Sequence, residues 1–122
     1  YSVSSYTFCG YTALTSVKFA DHVDMIGEGA FLNCTGLTEM ILPSGLRSIA
    51  ERTFEGCTNL KSITILSGLI SFDERAFYYC TSLEEIHYNG TKEQWGTISK
   101  GESWNDNTGA YTIFCTDGEI TK

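Results

Sequence analysis

The chain has 122 residues, with 8 Lys and Arg against 15 Asp and Glu and a formal net charge of −7. One domain is expected, and the acidic balance excludes nucleic acid as the main partner, because phosphate contacts are made mostly by Lys and Arg. Hydrophobic residues make up 42% and charged residues 19%, which excludes global disorder, and no apolar run approaches the ~18–20 residues that span a bilayer.

A period of 23 residues runs through most of the chain. Phe8, Phe31, Phe54 and Phe77 keep it, as do Leu14, Leu37, Leu60 and Leu83, with Thr12, Thr35, Thr58 and Thr81 between them. Other columns hold Val17, Met40, Ile63 and Ile86, then Phe19, Leu42, Ile65 and Tyr88. Upstream of each Phe stands Val3, Ile26, Ile49 or Phe72, a column whose next place in step is Trp95. Val23, Leu46 and Leu69 form one more, and Cys34, Cys57 and Cys80 share a column that Tyr11 begins. Several columns in one register over four copies mark a repeat architecture.

Within the second copy, Ile26, Ala30, Phe31, Cys34 and Leu37 fall on one face of a helix or of 3₁₀ turns. Met40 and Leu42 then alternate with Glu39 and Ile41 in the strand period, and Pro43 with Gly45 marks a turn. One such unit cannot bury its apolar residues alone, so successive units must cover one another. Their strands should pair in parallel about 4.8 Å apart, with helical segments on the opposite side. Unequal widths of the two sides bend the stack and make the sheet its concave face.

The run Phe-x-x-Cys-Thr-x-Leu-x-x-Ile-x-Ile/Leu resembles a leucine-rich repeat of the BspA type, found in bacterial and protozoan surface proteins. It covers residues 3–89. The Ala-Phe-x-x-Cys element stands as Ala30-Phe31-Leu32-Asn33-Cys34 and Ala76-Phe77-Tyr78-Tyr79-Cys80, with Thr53 in place of Ala between them. Leu42-Pro43 keeps the turn of the family, whereas Phe19-Ala20 and Ile65-Leu66 depart from it. The resemblance implies an α/β repeat fold, a solenoid with a parallel sheet on the concave face and short helical segments on the convex face. It also implies a cell-surface or secreted location and an adhesin-like binding role.

Residues 1–90 are thus read as four 23-residue repeats and residues 91–122 as a divergent C-terminal capping coil. Thr91 and Gln94 can form a capping box, starting a short helix that buries Trp95 and Ile98. Loop chemistry surrounds Trp104. Ala110 to Cys115 alternates as a last strand, with Ile113 and Cys115 in the roles of Ile86 and Tyr88, and Asp117-Gly118 predicts a hairpin. The Tyr88-to-Trp95 run is similar to the ends of BspA-type arrays. The start at Tyr1 is read as that of a mature form or a piece of a longer array. Its edge is expected to carry an unpaired strand over residues 16–19, through which the domain could associate.

The odd count of five cysteines cannot all pair within one molecule. Stacked side chains in one column point in parallel, so Cys34, Cys57 and Cys80 are expected to be buried thiols, with Cys9 at the surface. No Cys-x-x-Cys or Cys/His spacing suggests a metal, no motif implies a cofactor, and His22 and His87 have no motif-linked nucleophile. No catalytic residue is therefore assigned. The outward positions of the sheet remain: Ser16, Glu39, Ser62, Glu85 and Thr112 in one row, and Lys18, Ile41, Thr64, His87 and Phe114 beside them. They are read as a platform for an extracellular protein or glycan. The alternative is a substrate-docking appendage of a larger secreted enzyme.

Overall fold

Alternation puts every second side chain of a strand on the same face, and the strands follow the expected columns. The computed structural model describes residues 2–20, 22–66 and 68–121. Tyr1 and Lys122, the outer ends of the two expected segments, lie outside the described residues. Among these, β3 (Glu39–Ile41), β5 (Ser62–Ile65), β7 (Glu85–Tyr88) and β9 (Thr112–Cys115) pair in parallel, and β10 (Gly118–Thr121) closes the sheet antiparallel to β9. Met40, Ile63, Ile86 and Ile113 stand side by side and are buried.

A second ladder replaces what the periodicity suggests as a helix start. The Val3, Ile26, Ile49 and Phe72 column lies in two-residue strands: β1 (Ser2–Val3), β2 (Met25–Ile26), β4 (Ser48–Ile49) and β6 (Ser71–Phe72). β1 pairs with β2, and β4 and β6 are followed by β8 (Ser99–Lys100), all in parallel. From the second coil on, each is therefore a β-solenoid turn with two strand positions.

The side opposite the large sheet is built of turns, and the only helix among the described residues is α1 (Lys92–Thr97). The reason lies in the backbone donors. The N–H groups of Arg52, Phe54 and Gly56 donate to the carbonyls of Glu74, Ala76 and Tyr78 in the next coil, so they are not free for the i→i−4 bonds of a helix. Two residues in each turn have positive φ: Tyr6 and Gly10, Gly29 and Asn33, Arg52 and Gly56, Arg75 and Tyr79. Left-handed backbone at those points prevents propagation of a right-handed helix.

The same pair returns at Ser103 and Asn107, so the divergent C-terminal segment contains a further coil in a shifted register. The shift explains a second difference: the partner of Phe72 in the short ladder is Lys100, not Trp95. Residues of α1 are inserted between the two, and Trp95 instead packs on Phe72 from the helix, with ring centroids 5.4 Å apart. Both arms of the Thr91–Gln94 capping box form. Lys100 Nζ donates to the Trp95 and Ile98 carbonyls at the far end of α1, satisfying acceptors a short helix leaves open.

The expected edge strand at residues 16–19 is absent, and the large sheet begins at β3. Thr15 still accepts from the Thr38 N–H. Beyond that bond the first coil diverges, with Val17 and Phe19 only half-buried. With β3 on one side alone, neither ladder bonds nor burial hold the segment in strand register.

The core is a spine of aromatic rings. Phe8, Phe31, Phe54 and Phe77 stack at centroid separations of 5.4, 5.6 and 5.3 Å, with interplanar angles no larger than 11°. Trp104 then stacks on Phe72 at 4.6 Å. Its backbone carbonyl accepts from Phe77 where that of Ala76 accepts from Phe54, so this large indole occupies the Ala30, Thr53 and Ala76 position of the last coil.

Candidate functional site

Strand register brings the outward residues together as two rows. Glu39, Ser62, Glu85 and Thr112 are successive partners, and so are Ile41, Thr64, His87 and Phe114. Antiparallel pairing adds Glu119 beside Phe114. Adjacent strands lie about 4.8 Å apart and the two rows about 7 Å apart. Ser16 and Lys18 do not extend the rows, because the first coil forms no strand there. They line a cleft of about 550 Å³ with Val17, Phe19, Glu39, Ile41 and Leu42.

The two rows differ in chemistry. Ile41 is 58% exposed, a large apolar side chain held in solvent. His87 stacks on Phe114 with centroids 5.0 Å apart and planes within 13°, and its Nε2 lies 2.8 Å from a Glu85 carboxylate oxygen. This pair is about half exposed, so solvent screens it and it adds little to stability. A shallow hollow of about 190 Å³ adjoins it, lined by Thr64, His87, Asn89, Phe114 and Thr116 among others.

A third hollow, of about 330 Å³, lies at the starts of the strands between Thr38, Glu39, Lys61, Ser62, Glu84 and Glu85. Lys61 and Glu84 are missing from the two sequence rows, because strict alternation assigns them inward. Both are exposed. Their charge was the available signal, since a Lys or Glu at an inward parity marks a place where the strand has not yet begun.

The cysteines occupy the positions their column predicts. All five are free, with Cys34, Cys57 and Cys80 buried, Cys9 exposed and Cys115 intermediate. Each ladder thiol donates to a Phe carbonyl of the preceding coil: Cys34 to Phe8 at 3.1 Å, Cys57 to Phe31 at 3.1 Å and Cys80 to Phe54 at 3.0 Å. Burial pushes the Cys57 thiol up to about 12 from 9.0 and raises Cys34 and Cys80 as well. The thiolate is the nucleophile, so thiol labelling of the native protein should modify Cys9 rapidly and the three ladder thiols only after denaturation. Rapid native labelling of the ladder would contradict their burial. The same shifts set an alkaline limit. Unfolded thiols ionise from about pH 9 while folded Cys57 stays protonated to about pH 12, so stability present below pH 9 should be lost progressively as pH rises through that window. Melts between pH 8 and 11 measure it.

Coils that from the second on give one strand each to a large parallel sheet, return through turns and stack Leu and Phe columns form a leucine-rich-repeat solenoid. The BspA type Leucine rich repeat region (6 copies) matches residues 1–100, and the chain belongs to that family. A leucine rich cell surface protein from Faecalibacterium prausnitzii is similar, with 31% identity and a TM-score of 0.72 over 80% of this chain and 32% of its own. A leucine-rich repeat protein from Bacteroides ovatus is 33% identical with a TM-score of 0.73, over 93% of this chain and 28% of its own. The leucine rich repeat protein of T. pallidum, 22% identical, shares the fold, with a TM-score of 0.72 over 82% of this chain and 44% of its own. The chain thus spans less than half the length of each. No curated protein matches it. No helix among the described residues is long and apolar enough to cross a membrane.

Proposed function

We propose that this domain is a non-enzymatic binding module of a cell-surface or secreted protein, adhesin-like, which contacts an extracellular protein or glycan through the outward, concave face of the large sheet. The observation that carries the reading is the division of labour between the two faces. From the second coil to the fourth the inward columns hold their apolar side chains at less than a tenth exposure, while Ile41 and the His87–Phe114 pair are kept on the solvent face in one row of the sheet. Repetitive solenoid faces suit broad contacts of this kind. Support for the location comes from the family and from the surface protein of F. prausnitzii.

An immobilised, multimeric form, which offsets weak single-site affinity through multivalency, can be screened against purified extracellular matrix proteins and a glycan array. Glu39→Lys, Glu85→Lys and Phe114→Ala combined should abolish capture with little change in melting temperature, because all three side chains lie at the surface or half-buried. Capture that survives these changes but is lost on substitution of Glu55 and Tyr78, on the turn side, would move the site to the other face.

A further inference from the structure

Acidic residues are distributed over both sides of the solenoid, and several of those on the turn side have fixed partners. On the turn side, Glu28, Glu51, Glu74 and Glu102 form a ladder, each accepting through its backbone carbonyl from the preceding coil. Two of these carboxylates have partners there: the Tyr6 hydroxyl donates to Glu28 at 2.6 Å, and Arg52 Nε lies 3.8 Å from Glu51 and, beside the ladder, 3.9 Å from Glu55. The Glu74 carboxyl beside it raises the Glu51 carboxyl above the usual range. On the sheet side, Glu39, Glu84 and Glu85 share one hollow with a single lysine, Lys61. Among the described residues their one ion-pair partner is His87, on Glu85.

From this we infer that the partner of the sheet face is a basic amphipathic segment of a protein, with Lys or Arg over Glu39, Glu84 and Glu85 and apolar side chains over Ile41 and the His87–Phe114 pair. The inference rests on the binding role proposed for this face and names the chemistry of its occupant. Charge complementarity selects the cation: three carboxylates face one lysine in that hollow. The parallel rows select the amphipathic form. The row of Glu39, Ser62, Glu85 and Thr112 and the row of Ile41, Thr64, His87 and Phe114 run along the solenoid axis about 7 Å apart, so a segment lying across the strands meets Glu39 and Glu85 along one flank and Ile41, His87 and Phe114 along the other. Such complementarity steers encounter and fixes register, and it weakens as salt screens it.

The test uses a fluorescent 18-residue peptide of Lys and Leu in amphipathic order, its Glu/Leu counterpart, and the whole chain in an anisotropy titration. The Lys/Leu peptide should bind, its affinity falling at least tenfold in Glu39→Gln/Glu84→Gln/Glu85→Gln. A control with the same loss of charge, Glu28→Gln/Glu51→Gln/Glu102→Gln, should stay within about twofold of wild type, and the Glu/Leu peptide should not bind. Equal losses in the two triple variants would reduce the effect to long-range attraction by an acidic protein and overturn the inference. So would undiminished binding to the sheet-face variant, or equal binding of the Glu/Leu peptide. If the capture described above is still lost with Glu39→Lys, Glu85→Lys and Phe114→Ala while the peptide distinguishes nothing, the cationic partner falls and the binding face stands. If neither responds, both fall.

Discussion

Phe54→Ala is expected to cost about 3–5 kcal/mol, the range for large-to-small changes in a closed core, and to unfold most or all of the domain at 37 °C. Phe54 is fully buried, and its ring is stacked on both sides, by Phe31 at 5.6 Å and Phe77 at 5.3 Å. In a solenoid each coil contacts only its neighbours, so a void here weakens two coil interfaces together. Such a loss is comparable with the whole stability of a typical domain. Circular dichroism melts should fall by on the order of 10 °C or more. A shift of a degree or two would show that the Phe column is not the spine.

Trp95→Ala should have a comparable effect, about 3–5 kcal/mol by the same reasoning, although the residue lies outside the regular repeats. Its indole is 5% exposed and meets Phe72 at 5.4 Å, Tyr88 at 5.3 Å and Trp104 at 6.4 Å. We expect residues 91–122 to act as a cap over the last coil, as terminal repeats of solenoids do. Loss of the indole would then open the end of the core and destabilise the repeats themselves. The discriminating measurement compares the far-ultraviolet melt, which follows the sheet, with the fluorescence of the remaining Trp104. Coincident transitions shifted down together indicate one cooperative unit. A low transition in Trp104 fluorescence alone, with the sheet melting as in wild type, would make this segment an independent appendage.

The two expectations show where sequence information ended. Phe54 could be placed in the core from its column, because a residue that recurs every 23 positions as Phe meets its equivalents whenever coils stack. The large sheet was legible for the same reason: Ser62–Ile65 and Glu85–Tyr88 alternate, and a one-residue slip would turn Ile63 or Ile86 into solvent. Both outward rows from Glu39 to Phe114 followed from that parity, and the inward ladder of Cys34, Cys57 and Cys80 followed from its 23-residue column.

Tertiary structure decided the rest. The turn side reads as helical in the spacing of Ile26, Ala30, Phe31 and Cys34, and it is not a helix because the neighbouring coil takes alternate N–H groups, those of Gly29, Phe31 and Asn33. Periodicity records which side chains are buried; it does not record whether a backbone donor is satisfied within its own turn or by the next coil. The left-handed positions were equally hidden. Gly10, Gly29, Asn33 and Gly56 have the residue types that favour positive φ, but Tyr6, Arg52, Arg75 and Tyr79 hold the same conformation through bonds between coils rather than intrinsic preference. Ser16 and Lys18 kept the parity of a strand yet form none, since a strand at a sheet edge depends on its one neighbour for both backbone bonds and cover. The sequence alone determined the columns, because burial acts on each side chain separately. Whether those columns lie on strands, turns or helix was decided by hydrogen bonds between coils, which exist only once the coils are stacked.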